Sequence, residues 1–261
     1  MYRNCNRTIW LKKTQPSSNG SGKRRQVISP FSLLGIVVHE TLEEEMKKHV
    51  GKRFFSEFRI DNSTLFSILD KKLSEALPLV DWTVIEDKDR LIEWVKKSSK
   101  KNLRNAKSLL NANARDYTVL EVEQVWKHKL RAESDLIVLA DLVLQSPNNE
   151  IYVVDWKTQK DPKSDINDPQ LAVYKLLAEK KYQNEQIKTV IAYTERVHWA
   201  KPWYSPKFTS ELENNIDEEI ERWKSNNIED FPANPHPVNC SSCRYLTRCD
   251  VAYVSEEVYF V

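Results

Sequence analysis

The sequence predicts a mixed α/β fold, with helices packed against one central sheet. Three stretches in the middle of the chain are rich in Val, Ile, Leu and Tyr, two of them are joined by turn formers, and segments with helical periodicity lie on both sides. The length of 261 residues and the hydrophobic fraction of 40% suit one elaborated domain. We expect a single domain over 1–261, with an N-terminal segment at 1–29, a core at 30–200 and a C-terminal segment at 201–261.

Three helices are predicted before the strands. After Pro30, apolar residues recur at helical spacing, namely Leu33, Leu34, Val37, Val38, Leu42 and Met46. Two more helices are predicted at 63–76 and about 86–113. Residues 14–26 collect Pro, Ser, Asn and Gly and are therefore predicted to form a loop.

Three strands are predicted at 117–130, 134–145 and 150–157. The last two are separated only by Ser146-Pro147-Asn148-Asn149, so they are expected to form a hairpin. A helix at about 168–182 follows. The remaining elements are one strand at about 187–198 and a long polar helix at about 207–226.

Composition excludes several classes of protein. The 40 Lys and Arg residues nearly balance the 38 Asp and Glu residues, so the chain is not a disordered polyelectrolyte. It has no apolar run near the ~20 residues of a membrane helix and no hydrophobic signal core, so we expect a soluble cytoplasmic protein. Only 4 Gly and no glycine-rich phosphate-binding motif argue against a nucleotide-binding fold.

Two carboxylates and a lysine are predicted to meet at the hairpin. Because residues i and i+2 of a strand share a face, Asp155 and Lys157 are presented together. The midpoint between Asp141 and Asp155 is Asn148, in the predicted turn, so antiparallel pairing sets the two carboxylates opposite each other with Cβ atoms ~5 Å apart. Such a pair suits Mg²⁺ or Mn²⁺, and Lys157 suits stabilisation of charge in a phosphoryl-transfer transition state.

The alternative is that the two acids are unrelated and that Asp155 and Lys157 form an ordinary salt bridge. Against this, Asp141 lies within the apolar run 136–144. An unpaired charge there costs about 1–3 kcal/mol even on lenient scales, so it needs a partner.

Three more polar residues are weak signals when taken singly. Gln170 and Tyr174 are spaced i, i+4 and share one face of the predicted helix. Alone they fit a surface Gln and a core Tyr, and His39 alone fits a packed histidine. Their order along the chain is more informative than any one of them.

In order, these residues resemble the RecB-like branch of the PD-(D/E)XK nuclease superfamily. That family has a helical His, a strand Asp, a DxK strand usually written DYKT and a QxxxY helix. Here they correspond to His39, Asp141, Asp155-Trp156-Lys157-Thr158 and Gln170 with Tyr174. Val138 stands where the family usually has Gly, and DYKT reads DWKT.

The resemblance covers about residues 30–198 and implies a restriction-endonuclease-like core. It implies that His39, Asp141 and Asp155 bind Mg²⁺ or Mn²⁺ and that Lys157 is the catalytic lysine. Gln170 and Tyr174 would support the site or contact DNA. The implied activity is metal-dependent hydrolysis of DNA, most often by an exonuclease acting on single-stranded ends.

The four cysteines form a second candidate metal site. Cys240, Cys243 and Cys249 follow a C-x2-C-x5-C pattern, and Cys5 is the remaining candidate for a fourth ligand. On spacing alone, four sulfurs suit zinc or an iron–sulfur cluster, and disulfides or free thiols are the alternative.

This cysteine arrangement is similar to that of some RecB-like nucleases, including the nuclease of the CRISPR adaptation machinery and the AddB helicase–nuclease subunit. They carry one Cys before the core and C-x2-C-x5-C after it. The resemblance implies a structural [4Fe–4S] cluster bound by Cys5, Cys240, Cys243 and Cys249. It also implies protein partners in DNA repair or CRISPR adaptation. The family usually has a further segment before the one that matches Tyr2-Arg3-Asn4-Cys5, so we expect either a short N-terminus or a true start that lies upstream.

The predicted DNA contacts are sequence-independent. Basic residues on the helix at about 86–113, and those at 23–25, are candidates for phosphate binding, and a solvated surface explains them equally well. The residues on the helix are Lys96, Lys97, Lys100, Lys101, Arg104 and Lys107. Rival functions are a nuclease of another substrate class, such as a structure-specific endonuclease or an RNase, and a catalytically silent DNA-binding scaffold. The complete acid–acid–lysine set argues against the silent scaffold.

Overall fold

The computed structural model describes residues 28–83, 85–158, 169–183, 186–202, 204–225, 227–233 and 249. Contacts divide the chain into two compact units. Among the described residues, the larger unit contains 28–129 and 135–212. The smaller unit contains 130–134, 213–233 and 249, with the same gaps.

The helices and strands follow the predicted order closely. The five helices among the described residues are α1 (Leu33–Lys47), α2 (Asn62–Ala76), α3 (Lys88–Asn113), α4 (Pro169–Tyr182) and α5 (Pro206–Lys224). The five strands are β1 (Thr118–Lys129), β2 (Asp135–Gln145), β3 (Ile151–Lys157), β4 (Ile187–Tyr193) and β5 (His198–Ala200). A single turn of 3-10 helix, Pro30–Ser32, leads into α1.

Helix starts are set by acidic caps where the sequence offers them. The side chain of Asp61 accepts hydrogen bonds from the backbone N–H groups of Ser63 and Thr64, at 2.8 and 3.2 Å. Asp87 accepts one from the N–H of Arg90 at 2.9 Å. These bonds satisfy N–H groups that have no partner within the helix, which fixes the first residues of α2 and α3.

The strands form one mixed sheet in the order β1-β2-β3-β4-β5. β1, β2 and β3 are successively antiparallel, β3 and β4 are parallel, and β4 and β5 are antiparallel. The parallel pair is joined by a crossover through α4, as parallel strands require. This confirms the predicted α/β class and agrees with a restriction-endonuclease-like core.

The main core lies between the sheet and the first three helices. Fully buried side chains from α1, α2 and α3, such as Val38, Leu69 and Leu103, pack with alternate residues of the central strand β3. Tyr152, Val154 and Trp156 are the β3 members of this core. Because side chains alternate along a strand, Asp155 and Lys157 are turned away from it.

The predicted single strand at 187–198 is wrong, because the chain turns back within it. β4 ends at Tyr193, residues 194–197 form a turn, and β5 pairs antiparallel with β4 through Tyr193 and His198. Val197 has φ of 55° in this turn. A β-branched residue rarely adopts that conformation, and the turn contains neither Gly nor Pro, so no sequence signal marked it.

The smaller unit holds the loop between β1 and β2 against a helix. The N–H of Ala132 donates to Asp217 Oδ1 at 3.0 Å, and Lys224 Nζ donates to the carbonyl of Ala132 at 2.8 Å. Both backbone groups of one loop residue are therefore satisfied by α5 side chains. Across the described helices, none combines the length and apolar character needed to cross a membrane.

Candidate active site

The β2–β3 hairpin brings the two predicted carboxylates together. Leu142 pairs with Val154, so the antiparallel register continues to Asp141 opposite Asp155. The backbone N–H of Trp156 donates to Asp141 Oδ2 at 2.8 Å. The Ser146–Glu150 turn that sets this register is closed by a hydrogen bond from the N–H of Ser146 to the carbonyl of Glu150, at 2.9 Å.

Asp155 is a buried carboxylate, and one of its oxygens has no well-directed hydrogen bond among the described residues. It is 3% exposed, and its Oδ2 lies 2.7 Å from Lys157 Nζ. That contact is an ion pair, but among the described residues Oδ2 has no hydrogen bond of good geometry. Burial and the neighbouring charge of Asp141 raise the pKa of Asp155 to about 6, although the positive charge of Lys157 lowers it in part. Such a group favours an additional cation.

His39 reaches the acids from α1. Its Nδ1 lies 3.4 Å from Asp141 Oδ2, and the imidazole is 30% exposed. Burial raises the pKa of Asp141, while His39, the Trp156 N–H and Lys157 partly oppose the rise. The histidine therefore lies beside the carboxylates, and its side chain is more exposed than that of Asp141.

Glu123 is a further acid at this site, and sequence reasoning missed it. One ligand atom each from His39, Glu123 and Asp141 lie within 4.8 Å of one another. Glu123 lies on β1 between the pairs Val122–Leu142 and Gln124–Ala140, which sets it opposite Asp141. Its φ of 47° is uncommon for a residue other than glycine and costs about 1–3 kcal/mol. Strain of this kind is typical of functional sites.

A signal for Glu123 was present in the sequence. The midpoint between Glu123 and Asp141 is Ala132, which lies in the loop between β1 and β2. The arithmetic that paired Asp141 with Asp155 around Asn148 therefore pairs Glu123 with Asp141 as well. The three carboxylates come from three adjacent strands, and an imidazole with carboxylates is a donor set that suits Mn²⁺ or Mg²⁺.

Glu123 is expected to destabilise the metal-free protein as pH rises. Burial and the charge of Asp141 raise its pKa from 4.5 to about 7. Between these two pKa values the folded state keeps the proton on Glu123, whereas the unfolded chain releases it. The free energy of unfolding therefore falls as pH rises through and above this range. Replacing Glu123 with Gln should stabilise the protein in EDTA more at about pH 8 than at about pH 4, as measured by urea unfolding.

Glu121, two residues earlier on β1, is the matched control with the opposite sign. Burial raises its pKa, but the ion pair with Lys181 at 2.5 Å and the indole N–H of Trp126 at 2.7 Å lower it overall. Its stabilising contribution is present above its ordinary pKa of 4.5 and is lost as pH falls. Glu121→Gln should therefore destabilise more at neutral than at acidic pH. The same trend in both variants would contradict the assignment of Glu123.

Gln170 and Tyr174 connect the lysine to the neighbouring strand. Lys157 Nζ donates to Gln170 Oε1 at 3.4 Å, and Gln170 Nε2 donates to the Tyr174 hydroxyl at 2.6 Å. That hydroxyl donates to the carbonyl of Leu139 at 2.8 Å. Burial raises the pKa of Tyr174. The neutral phenol therefore keeps its proton and holds α4 against β2 at the site.

A buried polar network fixes the backbone at Lys157. The N–H of Thr194 donates to the Lys157 carbonyl at 2.9 Å, and the Thr194 hydroxyl donates to Asn102 Oδ1 of α3. Asn105 Nδ2 donates to the Thr194 carbonyl at 2.6 Å. Asn102 and Thr194 are both fully buried, so the hydrogen bond between their side chains is protected from water. The end of β3 is thereby tied to α3.

A cavity of about 1070 Å³ opens beside the carboxylates. Its polar lining includes His39, Glu123, Asp141 and Thr158. Gly35 lies across from Thr158, where an added Cβ would meet Thr158 Oγ1 at an ordinary contact distance of 3.6 Å. Three of the candidate metal ligands, His39, Glu123 and Asp141, are therefore reached from this cavity.

The basic row predicted on α3 is partly engaged in contacts within the protein. Lys100 and Arg104 lie over the ring of Phe66, at 5.5 and 5.0 Å from its centroid. Lys101 Nζ pairs with Glu195 at 2.6 Å. Phosphate contacts by these three side chains would compete with the existing contacts.

The cysteine prediction lies mostly outside the described residues. Cys5, Cys240 and Cys243 are not described, and nor are residues 23–25. Cys249 is half-buried and forms no disulfide with any described residue.

Comparison with known proteins gives one family. The model of the PD-(D/E)XK nuclease superfamily matches residues 8–250. A search of curated proteins finds no match. A solved structure titled "Crystal structure of SSO0001" is 14% identical, with 95% of this chain and 96% of that chain covered and a TM-score of 0.36.

Proposed function

The chain belongs to the PD-(D/E)XK nuclease superfamily, and from that premise we propose that it hydrolyses DNA phosphodiester bonds as a metal-dependent exonuclease favouring single-stranded ends. Membership supports a metal-dependent nuclease acting on DNA. The exonuclease mode and the preference for single strands rest on the resemblance to the RecB-like branch. We place the chain in that branch.

One observation carries the proposal: Asp141 and Asp155 are paired across the hairpin with Lys157 beside them. The buried Oδ2 of Asp155 lacks a well-directed hydrogen bond among the described residues, and the pKa of both carboxyl groups is raised. These acids fit a divalent cation, which would remove the cost of holding their charges close together. When bound, Mg²⁺ or Mn²⁺ supplies Lewis acidity and lowers the pKa of a coordinated water.

The protein's own groups then have separate roles. His39, Glu123, Asp141 and Asp155 are the candidate ligands. Lys157 lies next to Asp155 and carries the positive charge that stabilises the developing negative charge on the phosphoryl oxygens. Gln170 orients that amine, and Tyr174 holds Gln170.

The function is tested with purified protein and end-labelled DNA. Incubation with Mg²⁺ or Mn²⁺ should release mononucleotides or short products from single-stranded DNA faster than from blunt duplex, and EDTA should stop the reaction. Cleavage at internal positions, without release of nucleotides from the ends, would show that the protein is an endonuclease rather than an exonuclease. No cleavage of DNA by the wild type would favour the silent DNA-binding scaffold.

We also propose a structural [4Fe–4S] cluster held by Cys5, Cys240, Cys243 and Cys249. The C-x2-C-x5-C spacing and the preceding Cys support it, and a half-buried Cys249 is compatible with it. A cluster would join segments separated by about 235 residues of chain, which restricts the unfolded state. Partners in DNA repair or CRISPR adaptation are proposed on the same resemblance.

Cys243→Ser is expected to lower the thermal unfolding temperature and to remove visible absorbance. Loss of one thiolate opens the cluster and releases the joined segments. Three measurements are made on anaerobically purified protein: visible absorbance from sulfur-to-iron charge transfer, iron content, and thermal unfolding by calorimetry. If the wild type contains zinc and no iron, the site is a zinc site rather than an iron–sulfur cluster. If the wild type is colourless and Cys243→Ser is equally stable, neither metal site is present.

A further inference from the structure

We propose that Phe31 and Trp94 form a base-stacking site for single-stranded DNA at the cavity that contains His39 and Asp141. The inference rests on the proposed function and specifies how the substrate is held. Both aromatic side chains line this cavity, together with the two candidate ligands.

The two aromatic residues are unusual in their exposure. Phe31 is 81% exposed and Trp94 is 52% exposed. Among the described residues, the other exposed aromatic side chains of this size are Trp223 at 42% and Phe208 at 40%. Of the aromatic side chains that the structure describes, the two most exposed therefore belong to the same cavity, although they are distant in sequence.

Separate elements supply the two rings. Phe31 lies in the 3-10 turn Pro30–Ser32 that leads into α1, the helix carrying His39. Trp94 lies near the start of α3. Leu139 of β2, which is 44% exposed, also lines the cavity. An apolar surface of this kind beside candidate catalytic groups is typical of a ligand contact.

The charges around the cavity decide which part of DNA these rings contact. Among the described lining residues, His39 supplies an imidazole and the charged side chains are carboxylates. These carboxylates are Glu40, Glu43, Glu123, Asp141 and Glu195. Among the described residues, no Lys or Arg side chain lines it. Phosphates are repelled by this wall except where a divalent cation intervenes, whereas the uncharged faces of bases are not.

Bases can use aromatic rings only when their faces are available. In a duplex each face is covered by the next base pair, but a single strand offers its bases for stacking on aromatic side chains. Stacking on Phe31 or Trp94 would therefore hold a single-stranded end beside the carboxylates and would select against intact duplex.

The first test measures binding without relying on cleavage. Fluorescence anisotropy of a labelled oligothymidylate of about 12 nucleotides is recorded in Ca²⁺. Phe31→Ala and Trp94→Ala should each weaken binding by about 5- to 100-fold, while binding to blunt duplex changes less than about twofold. Trp223→Ala, an exposed tryptophan that does not line the cavity, is the matched control and should bind like the wild type.

A second measurement separates stacking from an indirect effect on the fold. Abasic positions introduced one at a time into the oligonucleotide should weaken binding by the wild type at one or two positions. At those positions Trp94→Ala should lose nothing further, and Trp94→Phe should retain most of the affinity. The salt dependence of binding should be the same in the wild type and Trp94→Ala, because stacking releases no counterions.

The outcomes distinguish this inference from the proposed function. Equal binding of single-stranded DNA by the wild type, Phe31→Ala and Trp94→Ala overturns the stacking site, even if cleavage is normal. Equal loss on duplex and single strand also overturns it. Absence of cleavage by the wild type in Mg²⁺ and Mn²⁺ overturns the proposed function, while aromatic-dependent binding of single strands would still support the site.

Discussion

Asp155→Asn is expected to lower the rate of DNA cleavage on the order of 10³-fold and at the same time to stabilise the metal-free protein. The carboxylate is 3% exposed, and burial together with Asp141 raises its pKa to about 6. Above that pH the folded state must hold a charge that the unfolded chain keeps in water. Asn has the same shape without the charge, so it removes this cost together with a metal ligand.

Three measurements separate a functional carboxylate from a structural one. Cleavage of single-stranded DNA in Mn²⁺, Mn²⁺ binding by calorimetry and urea unfolding in EDTA should be measured on the same preparations at about pH 8. Asp70→Asn, an exposed carboxylate on α2, is the control and should match the wild type in all three. Retained cleavage, or a loss of stability in EDTA, would contradict the role assigned to Asp155.

Lys157→Met is expected to reduce the catalytic rate constant by about 10²- to 10³-fold while Mn²⁺ binding is kept or strengthened. The amine is 2.7 Å from Asp155 Oδ2 and 3.4 Å from Gln170 Oε1. It therefore competes with a cation for the same carboxylate, and its removal frees that oxygen. The positive charge that stabilises the transition state is lost, but the ligands remain.

The lysine control lies on the neighbouring strand. Lys188 pairs with Glu150 at the end of β4 opposite to the site, so Lys188→Met removes an ion-paired lysine from the same sheet without affecting the carboxylates. Its kinetics should match those of the wild type. If Lys157→Met loses Mn²⁺ binding along with activity, the lysine acts on the metal site rather than on the transition state.

Register explains why much of the site was predictable. A short turn between two strands has one centre of symmetry, and Asn148 therefore identified which residue faces Asp155. The β1–β2 loop is centred in the same way on Ala132, so its symmetry identifies Glu123 as the residue opposite Asp141. The turn at 194–197 was not predictable in this way, because it lacks Gly and Pro and is stabilised by contacts from α3 such as Asn105 to the Thr194 carbonyl.

Helical residues depend on tertiary packing, which spacing alone does not provide. The i, i+4 spacing placed Gln170 and Tyr174 on one face, but only the structure shows that they connect Lys157 to Leu139. The stacking residues Phe31 and Trp94 had no motif at all. Their exposure and common cavity are properties of the folded chain.

The carboxylates of the site come from consecutive strands within residues 118–157, joined by two short loops. Strand pairing of this local kind forms on the microsecond scale, about 1–10 μs for a hairpin, whereas docking of α1 and α4 requires contacts distant in sequence. The acid cluster therefore belongs to the part of the chain that can organise earliest. A divalent ion added during refolding would therefore find three of its four candidate ligands, Glu123, Asp141 and Asp155, within one locally connected segment.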